Sequence, residues 1–445
     1  MRPEPWFTAA ATLLALHVSL WMASTIGMSW SRPTVLALWL AATVAVVAQL
    51  ARAWSKRTHL GSSWISFPML VLGIGLAGFG ALALATWQGW NVHPDWAFHW
   101  GPKAQRFALA QGVDIGFLSQ PWNTHIHPDY PLLLPNLTAS LALAMGQSVT
   151  PRLGGAVTLL FAAIWWAALR ALAFRVVEPT NEKGRWIAEA SWLTAAWSVT
   201  MFGTGFRQAA GADLPFACAI TLGALALSAS QEELREGYLW ADARVAIAAG
   251  LASQIKFEGS VFAAILIVLW CLRRLAPHPR ERGARRFLTA GLRAGLLPAL
   301  LIGLWAFWNQ RYGLFQPSNA GSLDLGRLPV VAQGILHAAW ERAWHGLPLC
   351  VAALPWLCLR QDTRWPAILL SGQLFVYIGV YLTTPVDLEL LLLTSASRLL
   401  FHLVPTLLVL LVVALGRGGK AQPLELAAGA TVTSSGEPVR PTFLA

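Results

Sequence analysis

Long apolar runs alternate with short polar connections over most of this chain. A helix rises about 1.5 Å per residue, so a run of about 20 apolar residues crosses the roughly 30 Å hydrocarbon core of a bilayer. Reading the runs in order predicts about twelve spans, near residues 6–28, 33–51, 67–88, 152–173, 187–206, 211–229, 244–257, 258–272, 287–308, 347–359, 365–383 and 398–416. The first run is longer than the apolar core of a signal peptide and a second follows from Pro33, so it is expected to persist as a transmembrane helix. Residues 131–147 (PLLLPNLTASLALAMGQ) are apolar as well. With the N-terminus cytoplasmic, every basic connection falls on one face only if this segment does not cross. It is therefore expected as an amphipathic or re-entrant helix at the outer surface. Exterior loops then cover about 89–151, 309–346 and 384–397. Residues 1–420 read as a single all-α polytopic membrane domain, and 421–445 as a disordered cytoplasmic tail.

Composition removes the soluble alternatives. Of 445 residues, 56% are hydrophobic and 12% charged, about half the charge of a soluble globular protein. The net charge of +11 invites a nucleic-acid reading, but its placement does not. Residues 273–286 hold Arg273, Arg274, Arg280, Arg282, Arg285 and Arg286 against one acid, Glu281, as a cytoplasmic loop does under the positive-inside rule. The expected location is a plasma (inner) membrane, with no nucleic-acid partner. Cys218, Cys271, Cys350 and Cys358 all lie in apolar segments, as small buried hydrophobes do. An interfacial aromatic belt accounts for most of the 24 tryptophans. Trp90, Trp96, Trp100 and Trp122 instead share the first exterior loop with charged groups, where flat rings suit sugar faces as well as lipid headgroups.

That loop carries the densest chemistry. In NVHPDWAFHWGPKAQRF (91–107), Asp95 is a candidate general base, with helix N-capping as its competing role. On a regular helix Asp95, His99, Lys103 and Arg106 share one stripe. One base with two cations suits a phosphate-bearing substrate; the other reading is a solvated face at lipid headgroups. HIHPDYP (125–131) adds His125, His127 and Asp129 at alternating positions. With His93, Asp95 and His99 these make six potential ligands, so a divalent metal on His127 and Asp129 stands beside plain loop histidines. No other cofactor is implied. Arg207 and Asp213 lie at the outer ends of neighbouring spans. Lys256 and Glu258 interrupt a run otherwise long enough to be continuous, which predicts a break where two half-helices meet, with a mutual ion pair as the structural alternative. In TPVDLELLLLTSASRLLFHLVP, Arg398 at the lip of the last span suits a phosphate, beside Asp387, Glu389 and His402.

Together PDWAFHWGPKAQRF, HPDYPLLLP, GADLPFA, IKFEG and TPVDLELLLLTSASRLLFHLVP, spread over residues 94–405, resemble the GT-C superfamily of polytopic glycosyltransferases. This group holds protein O-mannosyltransferases and lipid A aminoarabinose transferases, and the chain is similar to its bacterial dolichyl-phosphate-mannose mannosyltransferase-like branch. The resemblance implies a GT-C-type bundle whose large first exterior loop contains juxtamembrane helices. It implies a polyprenyl-phosphate-linked sugar as donor, a hydroxyl on a lipid or glycan as acceptor, and inversion at the anomeric carbon. Asp95 occupies the place of the family's base, and Tyr130 and Pro131 that of the Tyr-Pro segment closing the loop. Asp213 matches the acid at the outer start of a later span, and Lys256, Glu258 and Gly259 match a Lys-x-Glu-Gly turn. The phosphate would be neutralised by Lys103, Arg207, Lys256 or Arg398, with Trp100 beside the substrate. Many relatives have two adjacent acids where Trp96 follows Asp95 here, and one span rather than three before the loop. The competing classes are a transporter or flippase of lipid-linked saccharide, an O-antigen polymerase or ligase, and a non-catalytic scaffold.

Overall fold

The computed structural model describes residues 4–55, 66–89, 92–179, 181–205, 209–230, 233, 239–275, 283–314, 321–340 and 347–417. Arg207, residues 276–282 of the arginine-rich connection and the expected tail at 421–445 lie outside these residues. The described chain is helical, with one isolated bridge between Val92 and Ala209. Three helices precede the loop: α1 (Pro5–Thr25), α2 (Arg32–Ser55) and α3 (Ser66–Gln88). Within the loop lie α4 (Gly101–Ala110), α5 (Ile115–Leu118) and α6 (Leu133–Met145). The bundle continues as α7 (Pro151–Val177), α8 (Glu182–Gly205), α9 (Asp213–Leu227), α10 (Leu239–Ser253), α11 (Glu258–Leu275) and α12 (Gly283–Arg311). It closes with α13 (Leu328–Trp340), α14 (Leu354–Leu359), α15 (Arg364–Thr383) and α16 (Leu388–Gly416).

Among the described residues, six helical stretches are long and apolar enough to cross a membrane: Pro5–Thr25, Arg32–Gln49, Pro151–Val177, Phe287–Arg311, Arg364–Thr383 and Leu388–Gly416. The chain is thus a helical membrane protein by length and composition. Its core is built by α7, α9, α10 and α16, where small residues bring the helices close, the usual device where lipid competes equally for apolar contact. Trp165 Nε1 donates to Thr221 Oγ1 at 2.6 Å, and Thr221 meets Thr406 at 2.7 Å, tying α7, α9 and α16 at mid-bundle.

The two ends of the bundle differ. At the basic end, buried Glu233 accepts from Arg175 Nη1 (2.9 Å) and Arg244 Nη2 (2.5 Å), and Arg175 also reaches Glu4 at 3.2 Å. Arg417 donates to the Val177 carbonyl and pairs with Asp362. At the loop end, residues 92–150 cover the helix termini. Here α6 reaches into the bundle: Asn136 Nδ2 lies 3.1 Å from His17 Nδ1 deep in α1, whereas Ala144 meets Arg32 at the start of α2. Its residues 133–140 are all buried against neighbouring helices.

A second difference concerns residues 309–359. The expected exterior loop ending at 346 and the expected span 347–359 are divided otherwise. α13 already packs along α16, with Gly334 against Leu392, and 347–359 is a 3-10 turn followed by the 6-residue α14. Pro348 and Pro355 remove the amide donors that a continuous helix needs there. α10 and α11 do form a hairpin around 254–257, as the Lys256/Glu258 interruption predicts. Their packing is antiparallel, since Trp270 Nε1 donates to Asp242 Oδ1 at 2.9 Å. A Cβ on Gly259 would lie 1.9 Å from the Ala252 carbonyl oxygen, so the hairpin closes only with glycine there.

Candidate functional site

The Val92–Ala209 bridge, with the His93 N–H on the Ala209 carbonyl at 2.8 Å, lays the HPDW segment against GADL. At their junction Asp213, the first residue of α9, is fully buried. Its carboxylate accepts from Lys256 Nζ, from Arg398 Nε at 2.8 Å and from His402 Nε2 at 3.1 Å, with His93 Nε2 at 3.3 Å. The partners assign the tautomers of both histidines. His93 Nδ1 accepts the Asp95 N–H at 3.0 Å, and His402 Nδ1 lies 2.7 Å from the Tyr377 hydroxyl, so each ring turns its Nε2–H toward Asp213. Lys256 therefore pairs with Asp213 and not with Glu258, correcting the mutual ion pair considered for that turn; Glu258 heads α11, and its Oε2 is buried without a partner.

Asp95 stands one step outward. Its Oδ2 is 2.6 Å from Arg398 Nη2, and its side chain makes no helix-capping bond. The ion cluster is thus Asp95 and Asp213 against Lys256 and Arg398, formally neutral. Asp213 is 0% exposed, whereas Asp95 and Arg398 are 19% and 26% exposed, so those two form the open rim.

The stripe expected for Asp95, His99, Lys103 and Arg106 does not form. Residues 96–100 make a π-turn closed by Gly101 N–H on the Trp96 carbonyl. Pro102 supplies the cause, because it has no N–H to give the preceding turn and its ring crowds that turn's carbonyl. A Cβ on Gly101 would sit 2.6 Å from the Trp96 oxygen, so glycine is needed. The extra residue swings Lys103 inward and Arg106 outward, where it pairs with Asp114 at 2.8 Å.

Lys103 is fully enclosed beside the quartet, its Nζ on the His127 carbonyl and 5.3 Å from the Trp100 ring centroid. His127 stacks on Tyr130 with centroids 4.7 Å apart and meets His99 edge-on at 4.8 Å. The Asp129 carbonyl takes bonds from Trp305 Nε1 (3.0 Å) and Asn309 Nδ2 (3.3 Å), which pins this turn to α12. Burial lowers His99 to about 4 and also lowers His127, and it raises the Asp129 carboxyl. Tyr130 is raised by burial and then by Glu258, Asp129 and Asp95. Buried atoms without partners include His99 Nδ1, Trp100 Nε1, Asp129 Oδ1, Glu258 Oε2 and Asn309 Oδ1. Most of these are acceptors, and such groups favour a hydroxyl-rich ligand. Among the described residues no three His, Cys, Asp or Glu side chains converge as metal ligands.

Burial also lowers Lys103 to about 7, from an ordinary value of 10.5. Between those values the unfolded chain binds more protons than the folded one, so stability rises with pH there. The melting temperature of purified protein is expected to climb from about pH 7 to about pH 10. Lys103→Met should flatten that climb; an identical slope in the variant would show that Lys103 is not its source.

Of the sequence candidates, Asp95, Asp213, Lys256 and Arg398 meet directly, and Tyr130, Trp100, Lys103, Glu258, His127 and Asp129 line the adjoining wall. Two histidines also join the centre: His93, weighed in the sequence only as a potential metal ligand, and His402, noted there only beside Arg398. His402 carries a readable signal, since its i+4 spacing from Arg398 puts both on one face of α16; His93 has only its place before Pro94-Asp95. No family model matches the chain, and neither a curated protein nor a solved structure does.

Proposed function

We propose that the protein is an integral-membrane glycosyltransferase of GT-C type that moves a sugar from a polyprenyl-phosphate donor to a hydroxyl acceptor, with its loop end on the exterior face and its N-terminus cytoplasmic. The observation that carries this reading is the depth of the site. α9 and α10 have 15 residues each, about 22 Å of helix against a core of about 30 Å. The turn between α10 and α11 meets His17 through Gln254 at 3.2 Å, and His17 lies eight residues, or about 12 Å, short of the end of α1. Arg398 likewise lies ten residues, about 15 Å, inside α16. A neutral quartet with a carboxylate at its rim therefore sits below the level of the outer helix ends. A phosphate carried on a lipid reaches that depth naturally, and the acceptor-rich wall suits the hydroxyls of a sugar.

The chemistry balances as follows. The acceptor oxygen bonds to the anomeric carbon and its proton passes to Asp95 Oδ1, which has no partner among the described residues. The bond from that carbon to the phosphate oxygen breaks, and its electron pair leaves with the lipid phosphate. This leaving group has low basicity, so a fixed positive charge serves it better than an acid, and Arg398 supplies that charge. Asp213, Lys256 and His402 hold Arg398 in position.

The test is mass profiling of surface glycans and glycolipids in a strain lacking the protein. A sugar-sized mass should disappear and return with the wild-type chain. An unchanged profile in the deletion strain would remove the reading.

A further inference from the structure

The basic end of the bundle, opposite the quartet, carries more cations than its described acids hold. Glu233 already accepts from Arg175 and Arg244, and Asp362 lies 3.3 Å from both Arg360 and Arg417. Two further arginines close no ion pair with a carboxylate among the described residues. Arg273 lies two residues before the end of α11, and Arg364 is the first residue of α15. Gly372 packs against Ile265 eight residues further along each helix, so the two run antiparallel and bring both arginines to one end. Their guanidiniums lie 5.9 Å and 5.6 Å from the ring centroid of the same residue, Trp365. Arg273 gives Nη2 to the Ala229 carbonyl, and the Nε of each arginine is buried without a partner. Arg364 and Arg175 both repel Arg273, while Glu233, the acid that opposes them, is already shared by Arg175 and Arg244. The helix dipole also disfavours a cation at the start of α15, so Arg364 does not serve its own helix.

From this surplus we propose that an anionic phospholipid binds at the junction of α11 and α15, its headgroup phosphate neutralising Arg273 and Arg364. The inference is independent of the transferase reading, because it concerns the other end of the molecule. Three observations favour a lipid. Both arginines stand at helix ends, the level at which a bilayer keeps its phosphates, and basic juxtamembrane groups attract the anionic lipids of the cytoplasmic leaflet. Guanidinium groups match phosphate oxygens in geometry as well as charge. Next to Arg273, Val268 and Leu272 are exposed one helical turn apart on α11, an apolar strip on which an acyl chain can lie. A free phosphate satisfies the arginines but leaves that strip uncovered. Bound in this way, the lipid ties the end of α11 to the start of α15.

The measurement is thermal unfolding of the full-length protein in phosphatidylcholine nanodiscs containing a rising fraction of phosphatidylglycerol. The wild-type melting temperature should climb and then saturate. Arg364→Gln should change the sign of its effect between the two lipids. Without phosphatidylglycerol it should melt no lower than wild type, since a repulsion is gone; with it, the variant should melt below wild type. Half of its climb should need about tenfold more phosphatidylglycerol, the effect of taking one guanidinium from a phosphate. Arg364→Lys, which keeps the charge and loses the fork, should show the same shift and takes the place of the glutamine variant if that one does not accumulate. Lys183→Gln, which removes an exposed cation at the same end, should follow the wild-type curve. Equal lowering of Arg364→Gln in both lipids makes Arg364 a structural residue and overturns the site. A matching loss in Lys183→Gln spreads the attraction over the whole surface and overturns it too, as does a wild-type melting temperature that phosphatidylglycerol leaves unchanged. Inorganic phosphate raising the melting temperature as far in pure phosphatidylcholine overturns the lipid assignment in favour of a free anion.

Discussion

Asp213→Asn is expected to unfold or severely destabilise the protein, although the substitution removes only one charge and keeps the side-chain shape. Asp213 is fully buried and serves Lys256, Arg398, His402 and His93 at once. Arg398 would keep Asp95, but Lys256 would lose its only carboxylate among the described residues while remaining enclosed. Breaking a buried pair from one side costs about 3–5 kcal/mol, because the remaining charge is stranded, and that is a large part of a typical protein's total stability. The measurement is thermal unfolding of detergent-purified protein together with yield from membranes. A double variant, Asp213→Asn with Lys256→Met, removes the stranded cation and should recover much of the loss, a coupling that a double-mutant cycle reads directly. If Asp213→Asn melts like wild type, the quartet does not hold this end of the bundle together.

The same residue shows what could be read from the sequence and what could not. GADLPFA marks a carboxylate where a span begins, and a charge beside a membrane core needs a partner, so the need for a cluster was legible. Its membership was less so. The partners come from 43 to 189 positions along the chain, as the separations of Lys256 and His402 from Asp213 record. Helical periodicity carries no information over such distances. It placed Arg398 and His402 on one face but could not say that the face meets α9. Long apolar runs were read well in α1, α7 and α15, whereas α16 begins at Leu388, ten residues before the expected span at 398–416 and inside the expected 384–397 loop. Reading failed where proline or a close backbone approach changed the local rule. Pro102 turned an expected regular stripe into a π-turn, burying Lys103 and expelling Arg106. Pro348 and Pro355 broke an expected span into a short turn and α14. For Lys256, weighed against pairing with its neighbour Glu258, the sequence could not decide the partner: the carboxylate that meets it is Asp213, 43 positions away.

Asp95→Asn is expected to give the opposite pattern to Asp213→Asn: a protein that folds like wild type and does not transfer sugar. Asp95 lies at the rim, and Arg398 keeps its bond to buried Asp213 when Asp95 is neutralised. A partly exposed pair contributes about 0–1 kcal/mol, so the melting temperature should hardly move. Asn also keeps the backbone N–H that His93 Nδ1 accepts, and with it the orientation of that ring. What Asn cannot do is take a proton. Loss of a positioned general base lowers the rate by about 10²–10⁴-fold, enough to erase the product mass in a complemented deletion strain. Asp95→Glu should restore part of the activity, since it returns a carboxylate at the cost of about one bond length of misplacement. Full rescue by Asp95→Asn would take the base role from Asp95. The buried quartet would then be a structural device, and Glu258 and Asp129, both carrying an unpartnered buried oxygen on the adjoining wall, would be the next carboxylates to test.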